Sequence, residues 1–326
     1  MKDVPCPMCG ATRQKFLETL KVSDIVKLYK KEFDYDCSYL FDVIGIKGGG
    51  KDNIIYYECL NCGLYHFHPI ITADEGLYKK LQSLHVWYYP DEKEEYKIAQ
   101  QFLLNRIKTP INLLEVGSGK GAFKSYLKQD NCYVGLEFSI EAICLAKKNN
   151  IVLFPEMIEK HSRNHPNSYD IVCSFQVLEH VANPKSFIES CLIALKPNGI
   201  LIIAVPSEES FMRTEVNNAY NMPPHHVTRY SDITLKNIAS LFNIELLSIE
   251  HEIIPDHHLF NATFSKLQRL FLKLQILDLS LKRIWIGYLC KIIIKLMRII
   301  KVLRIINKKT DNGHTAVAFY KKLMEH

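Results

Sequence analysis

Two pairs of cysteines near the start of the chain have the spacing of a metal site. Cys6 and Cys9 stand in "CPMCG", and Cys59 and Cys62 stand in "CLNCG". Two residues between cysteines let both thiolates reach one ion from a tight turn, and two such turns complete a tetrahedral zinc site. Four thiolates leave no open coordination position, so the pattern predicts a structural zinc ion rather than a catalytic one.

A second group of reactive side chains lies far along the chain, in "NMPPHHVTRYS" at 221–231. Two prolines restrict the backbone just before His225 and His226, and histidine titrates near neutral pH. By itself the stretch is compatible with a rigid polar turn or with a loop that presents a catalytic base.

Length and composition limit the class of protein. The 326 residues suffice for one α/β domain and a small accessory module. The chain has no N-terminal apolar signal and no run of about 18 uncharged apolar residues, so neither secretion nor a membrane-spanning helix is predicted. Ten cysteines without a signal segment favour a reducing compartment, so a cytoplasmic location is expected.

The net charge of +6 is unevenly distributed along the chain. Residues 263–310 carry twelve Lys and Arg against one Asp, a net of +11, so the remainder carries −5. Residues 1–63 contain nine basic and nine acidic side chains. The neutral first module therefore has no electrostatic advantage for binding nucleic acid.

Part of the basic segment, 282–308, has basic residues three or four positions apart among Ile, Leu and Val. They are Lys291, Lys295, Arg298, Lys301, Arg304 and Lys308. This spacing predicts an amphipathic helix with one basic face. Such a helix suits an anionic membrane surface, at the inner face of the membrane, or packs in a core or dimer with its basic face in solvent. The sequence leaves both alternatives and the oligomeric state open.

A glycine-rich turn follows an apolar run in "INLLEVGSGKGAF" at 111–123. This is the strand, turn and helix start of a doubly wound sheet, which binds ligands at the carboxyl ends of its strands. Gly117, Gly119 and Gly121 let a ligand approach the backbone closely. Glu137 ends the next strand, "CYVGLEF", where a carboxylate can accept the ribose hydroxyls of a nucleoside cofactor. Dinucleotide and S-adenosylmethionine sites share this pattern.

Further segments favour an S-adenosylmethionine site over a dinucleotide site. With Glu115 before the glycine turn, "SYDIVCSFQVLEHVANP" (168–184), "ALKPNGILIIAVPS" (194–207) and "GHTAVAFYKK" (313–322) resemble class I S-adenosylmethionine-dependent methyltransferases. The resemblance extends from about Glu95 to Glu250 and resumes at 313–322. It implies an α/β fold with a doubly wound, seven-stranded Rossmann-like sheet of order 3-2-1-4-5-7-6, whose strand 7 is antiparallel.

The resemblance also implies a cofactor site for S-adenosylmethionine. Glu115 and the glycine backbone would hold the methionine part, Glu137 the ribose, and Phe138 with Glu156 and Met157 the adenine. Gln176 would face the reacting methyl group and counts among the catalytic candidates. The complete set is Glu115, Gly117, Ser118, Gly119, Gly121, Glu137, Phe138, Glu156, Met157, Phe175 and Gln176. Glu179 and His180 begin a helix in this interpretation and have a structural role or contact a ligand.

The zinc module in front of this core is similar to that of bacterial sugar methyltransferases, including enzymes of surface polysaccharides and C-methyltransferases of nucleotide-linked keto sugars. In the C-methyltransferases a histidine after strand 5 is the proposed base, and His226 matches it. His225 replaces an acidic neighbour, so O- or N-methylation is left open. His226 is the first candidate for the base and His225 the second, with Arg229 and Tyr230 as substrate contacts.

The expected partner is a nucleotide-linked or lipid-linked glycan. An acceptor among other small molecules is left open, and two further alternatives remain. One is a ribosomal-RNA guanine methyltransferase with a zinc module, which the neutral first module disfavours. The other is a non-catalytic protein that binds S-adenosylmethionine and recruits a partner through the zinc module.

The expected organisation has five parts. A zinc ribbon occupies 1–70, with a hairpin tip at 46–53 and a strand that exposes His66 and His68. A bridge spans 71–95 and contains the aromatic residues 87–89, which pack or form a lid. The methyltransferase core occupies 96–262 and opens with an amphipathic helix that ends before Pro110. The basic insertion at 263–310 and the final strand with its tail at 311–326 complete the chain.

Overall fold

The computed structural model describes residues 4–42, 53–84, 90–107, 110–210, 213, 218–253, 292 and 312–324. The strands are β1 (Gln14–Lys21), β2 (Asn53–Cys59), β3 (Tyr65–His68), β4 (Asn112–Val116), β5 (Cys132–Leu136), β6 (Leu153–Phe154), β7 (Tyr169–Phe175), β8 (Leu195–Pro206), β9 (Thr228–Arg229), β10 (Ile244–Ile253) and β11 (Asn312–Lys322). The helices are α1 (Val22–Phe33), α2 (Ser38–Asp42), α3 (Glu75–Leu84), α4 (Glu94–Arg106), α5 (Ile140–Lys148), α6 (Ile158–Asn164), α7 (Pro184–Ala194) and α8 (Asp232–Leu241).

The larger sheet has seven strands in the order β10-β11-β8-β7-β4-β5-β6. Read from the other edge, this is the predicted order 3-2-1-4-5-7-6. β11 is antiparallel to both β8 and β10, and the pairs among β4 to β8 are parallel. The predicted fold class is therefore confirmed.

Alternating side chains of the central strands supply two cores, one on each face of this sheet. Leu114 and Val172 pack on one face with α7 and α8 residues, and their neighbours Leu113 and Ile171 pack on the other face with α4. Such a strand reads as a continuous apolar run because helices cover both faces of a parallel sheet. The amphipathic pattern predicted for α4 is confirmed, since Tyr96, Ala99, Phe102 and Leu103 are buried.

The N-terminal part forms a smaller, four-stranded sheet of order β1-β2-β3-β9. Its last strand comes from the segment that follows β8, and Thr228 of β9 pairs with His66 of β3. Consequently β3 is an internal strand. His66 is 1% exposed and packs on Tyr57, so the expectation that His66 lies at the surface is wrong. His68 is exposed, as expected.

The cysteine turns pack against the larger domain rather than standing apart from it. Cys6, Cys59 and Cys62 belong to the same buried cluster as Tyr230 and Leu235. The Thr234 hydroxyl donates to the Gly63 carbonyl at 2.7 Å, and the Asn237 amide donates to the Cys62 carbonyl at 3.2 Å. Helix α8 therefore supports the second cysteine turn.

Some predicted segments lie outside the described residues. They include most of the hairpin tip at 46–53, the aromatic residues 87–89 and, except residue 292, the basic insertion at 263–310. In the part of the chain that the structure describes, no helix has the length and apolar character needed to cross a membrane.

Candidate functional site

The four predicted metal ligands converge at one point. The Sγ atoms of Cys6 and Cys62 are 3.6 Å apart, as are those of Cys9 and Cys59, and all four lie within 4.8 Å of one another. A disulfide requires about 2.05 Å, whereas a zinc ion about 2.3 Å from each sulfur holds the sulfurs about 3.8 Å apart. The donor set therefore fits a tetrahedral zinc ion.

The glycine turn has the backbone conformation that only glycine adopts without strain. Gly117, Gly119 and Gly121 have φ of 70°, 54° and 75°. A Cβ atom on Gly117 would lie 2.4 Å from Val177 Cγ2. The turn after β4 thus lies against the residues that follow β7, which brings the carboxyl ends of the two central strands together.

Two carboxylates flank this turn. Glu137 accepts hydrogen bonds from the backbone amides of Gly119 (2.8 Å), Phe138 (2.7 Å) and Ser139 (2.8 Å). Burial raises the pKa of Glu137. A carboxylate has about four acceptor positions, so Glu137 keeps capacity for a further donor such as a ribose hydroxyl.

Glu115 is almost fully buried, and its Oε2 atom accepts a hydrogen bond from the Tyr133 hydroxyl. Its Oε1 atom has no partner among the described residues. Burial raises the pKa of Glu115 to about 8. An unpartnered buried carboxyl oxygen fits a donor group on a ligand, such as the amine of a methionine moiety.

The residues predicted to contact the adenine differ in whether their side chains are free to bind a ligand. The side chains of Phe138 and Met157 are 51% and 59% exposed, so both offer apolar surface to a ring. The Glu156 carboxylate instead contacts His161 Nδ1 at 2.7 Å and Lys160 Nζ at 3.4 Å. The hydrogen bond with His161 is the main cause of its lowered pKa.

Three predicted cofactor residues have structural contacts. Phe175 is 3% exposed and packs on the rings of Tyr96 and Phe123, which leaves only its backbone for a ligand. Ser118 is 3% exposed and its hydroxyl donates to the Leu136 carbonyl. Gln176 has a φ of 59°, rare for a residue with a side chain, and its amide donates to the Thr315 hydroxyl at 3.1 Å. Such local strain is common at functional sites, so it is consistent with the predicted role of Gln176.

The predicted pair, buried His225 and His226, meets a third histidine, the partly exposed His180. Ring centroids are 4.5 Å apart for His180 and His225, 4.8 Å for His180 and His226, and 4.7 Å for His225 and His226. We call these three residues the histidine cluster. Burial lowers the pKa of all three, to about 4 for His225, so the imidazoles are neutral at pH 7.

Glu179 lies beside the histidine cluster with 1% exposure, and neither carboxyl oxygen has a hydrogen-bond partner among the described residues. Burial raises its pKa to about 8. Glu179 and His180 belong to a short 3₁₀ turn, Leu178–His180, ahead of α7. They are helical, as expected, but this turn is separate from α7, and sequence reasoning undervalued both. Their adjacency in "LEHV" at the end of a buried strand was the available signal.

Two side chains predicted to contact the substrate, those of Tyr230 and Arg229, make contacts within the protein. Tyr230 is fully buried in the core shared with the cysteine turns, so its side chain does not line the cleft. The Arg229 guanidinium donates to the Asn221 carbonyl and lies 3.8 Å from Glu208 Oε1 and 5.1 Å from the Tyr56 ring centroid. Both side chains hold the loop in place through these contacts, and substrate binding by Arg229 stays a prediction.

Helix α3 of the bridge joins the two halves of the site. The Tyr78 ring centroid lies 5.8 Å from that of His180 and 6.2 Å from that of His225. At the other end of the helix, the Ser139 hydroxyl donates to Gln82 Oε1 at 3.4 Å. The helix therefore spans from the histidine cluster to the loop after β5, where a lid over a bound cofactor would lie.

These features define a class. The strand order, the glycine turn after β4, the carboxylate after β5 and the polar cluster after β7 and β8 make this a methyltransferase fold. Residues 91–249, slightly less than half of the chain, match the family described as "Methyltransferase domain".

Individual proteins of known name are similar over parts of the chain. The ubiquinone biosynthesis O-methyltransferase of Sodalis glossinidius is 30% identical over 95 residues, covering 27% of this chain and 38% of the relative. That of Klebsiella pneumoniae is 31% identical over 94 residues, covering 27% and 39%. The chain thus matches about two fifths of the length of these relatives. A solved S-adenosylmethionine-dependent methyltransferase from Archaeoglobus fulgidus aligns with a TM-score of 0.46 at 15% identity, covering 76% of this chain and 100% of that one.

Proposed function

We propose that this protein transfers a methyl group from S-adenosylmethionine to a nucleotide-linked or lipid-linked sugar or glycan. The observation that carries this proposal is the position of the histidine cluster. It lies after β7 and β8, at the same end of the sheet as the glycine turn, and Val227 beside it donates to the Glu179 carbonyl at 2.9 Å. A donor bound on the glycine turn would therefore have its acceptor at the histidines.

The cofactor supplies a methyl group already activated as a sulfonium, so the protein has to hold donor and acceptor in line. Glu115 offers an unpartnered oxygen to the donor's amine, and the exposed ring of Phe138 offers a surface for its base. Gln176 directly follows β7, and its side-chain amide donates to the Thr315 hydroxyl. These features support the predicted cofactor residues.

We assign acceptor activation to the histidine cluster, with His226 as the first candidate for contact and His225 as the second. A base works best when its pKa lies near the working pH. Burial lowers the pKa of both imidazoles well below neutrality. Their lone pairs are available at pH 7, but a free imidazole with so low a pKa accepts a proton weakly.

The four cysteines would hold a structural zinc ion. β3 follows the second cysteine turn and pairs with β9, immediately after the histidines. Zinc binding would thus organise the loop at 221–231, which carries His225 and His226 and is called the acceptor loop, without taking part in the chemistry.

The acceptor class rests on polarity and charge. Histidine and carboxylate side chains suit a hydroxyl-rich ligand, and the neutral first module offers no grip on RNA. The competing small-molecule acceptor is a phenol, favoured by the names of the ubiquinone O-methyltransferase relatives. The basic segment 282–308 would bring the protein to an anionic membrane, where a lipid-linked glycan is assembled.

A screen with methyl-labelled S-adenosylmethionine tests the proposal. Sugar nucleotides, lipid-linked glycans, polyphenols and RNA are offered separately to the full-length protein. Labelled sugar or glycan is expected. Label in a phenol or in RNA would replace this proposal, and cofactor binding without label in any acceptor would favour the non-catalytic alternative.

A further inference from the structure

The donor atoms of the histidine cluster converge like those of a second metal site, separate from the four cysteines. One nitrogen from each of His180, His225 and His226 lies within 4.8 Å of the others. Two of these residues are adjacent in sequence, and His180 follows a different strand. His225 and His226 are buried, and His180 is partly exposed.

Hydrogen bonds determine which nitrogen of each ring is available. His180 Nδ1 lies 2.6 Å from the His225 carbonyl, and His225 Nδ1 lies 2.9 Å from the Tyr220 carbonyl. A carbonyl oxygen only accepts, so both Nδ1 atoms carry the proton and both Nε2 atoms carry the lone pair. His226 Nδ1 lies 3.3 Å from Asn221 Oδ1, in the same arrangement. Metal-binding histidines are oriented by such bonds at their other nitrogen.

Glu179 supplies a fourth donor at the same place. Its Oε1 atom is 3.7 Å from His180 Nε2 and 4.0 Å from His226 Nε2. These separations exceed hydrogen-bond length and are near the ~3.4 Å expected between ligands of a tetrahedral ion at about 2.0–2.1 Å. Neither Glu179 oxygen, nor His225 Nε2, has a hydrogen-bond partner among the described residues. Buried polar atoms left without partners require an explanation.

We propose that His180, His225, His226 and Glu179 bind one divalent transition-metal ion at the acceptor end of the methyl-transfer site. Imidazole-rich sites favour zinc and its first-row neighbours over magnesium or calcium, which prefer oxygen ligands. Zinc is the natural probe, since three imidazoles and one carboxylate are all among its ligands. The cysteine site differs in having only thiolate donors.

The metal assignment rests on the proposed function only for its role in catalysis. A divalent ion that expands its coordination to take an acceptor hydroxyl lowers the pKa of that hydroxyl, and the proton leaves to solvent. The resulting alkoxide oxygen forms the new C–O bond as the C–S bond of the sulfonium breaks, which leaves a neutral thioether. The metal thus replaces the weak base that buried His226 would be, and the methylated atom would be oxygen.

Metal content of the full-length protein tests the site without any turnover. The protein is equilibrated with Zn²⁺, loosely bound metal is removed on a chelating resin, and zinc per chain is measured by mass spectrometry. We expect two ions in the unmodified protein and one in His225→Ala or His226→Ala. The matched control His165→Ala changes an exposed histidine outside the cluster and should retain two.

Cobalt distinguishes the two sites and reports on folding. Thiolate-to-cobalt charge-transfer bands mark the cysteine site and should persist in His225→Ala, while one cobalt equivalent is lost. Glu179→Gln preserves the side-chain shape and should weaken binding of the second ion at least tenfold. One equivalent in the unmodified protein, or two in both histidine variants, would overturn the assignment. Both measurements omit cofactor and acceptor, so the site and the proposed methyl transfer can fail independently.

Discussion

The carbonyl oxygen of Val227 accepts a hydrogen bond from the Phe67 amide at 3.2 Å. The amide of the same Val227 donates to the Glu179 carbonyl at 2.9 Å. One residue beside His226 therefore connects the strand that follows the cysteine turn with the turn that follows β7. The N-terminal module therefore supports, through backbone contacts, the loop that carries His225 and His226.

Loss of the zinc site should therefore disturb the acceptor loop. Cys59→Ser removes one thiolate from a four-cysteine site whose metal binding contributes to folding. We expect about one zinc fewer per chain, a lower thermal unfolding midpoint and a loss of methyl transfer. Cys144→Ser, at an exposed cysteine of α5, is the control and should change none of these. Full activity in Cys59→Ser would show that methyl transfer does not depend on the zinc site.

Tyr29 also connects the N-terminal module to the loop that carries His225, and one hydroxyl group tests this connection. Its buried hydroxyl donates to the Ala219 carbonyl at 2.8 Å and accepts from the His225 amide at 3.2 Å. Tyr29→Phe keeps the ring but removes the donor to the Ala219 carbonyl, at a cost of about 1 kcal/mol in the free energy of unfolding. The His225 amide keeps its hydrogen bond to the Met222 carbonyl at 3.1 Å. Turnover should fall while cofactor affinity is spared. Tyr39→Phe, at a more exposed hydroxyl, should cost less than half as much in a denaturant titration.

The glycine turn should not tolerate a side chain at Gly117. Gly117→Ala combines a positive φ with a contact of 2.4 Å to Val177, whereas Gly10→Ala has a φ of 73° and open space. Both variants should lose about 1 kcal/mol of stability from backbone strain. Only Gly117→Ala should also lose cofactor affinity, by tenfold or more in a calorimetric titration. Equal cofactor affinity in the two variants would place the cofactor elsewhere.

The sequence of the basic segment separately predicts binding to anionic membranes. Deleting 264–308 removes eleven basic side chains and one acidic one. Attraction to anionic lipid is about 1 kcal/mol per basic residue near the surface, so vesicle binding should be lost. Sedimentation with vesicles that contain phosphatidylserine measures this, and neutral vesicles are the control. Unchanged partitioning of the deletion variant would leave packing as the role of the segment.

The sequence was sufficient for the fold because its main features are local. Strands such as Tyr169–Phe175 read as apolar runs, and the cysteine spacing predicted ligands that do converge. Contacts between distant segments were not predictable. The two-residue strand β9 has no pattern of its own, so its pairing with β3 was missed, as was the burial of His66.

In the candidate site, too, local motifs were predictable from sequence and contacts between distant segments were not. The glycine turn, Glu137 and the histidine pair follow from local motifs. The meeting of His180 and Glu179 with His225 and His226 depends on how two strand ends pack together. The burial of the Tyr230 and Phe175 side chains was not predictable, because the direction of a side chain at the end of a strand depends on the register of the sheet.

Activity of His226→Ala tests the central claim most directly. Turnover is measured with methyl-labelled S-adenosylmethionine and the best sugar or glycan acceptor, beside His68→Ala as an exposed-histidine control. The account predicts a loss of about 10²-fold or more in kcat for His226→Ala, with unchanged cofactor affinity and a normal rate for His68→Ala. Turnover within twofold of the unmodified protein in His226→Ala would contradict it.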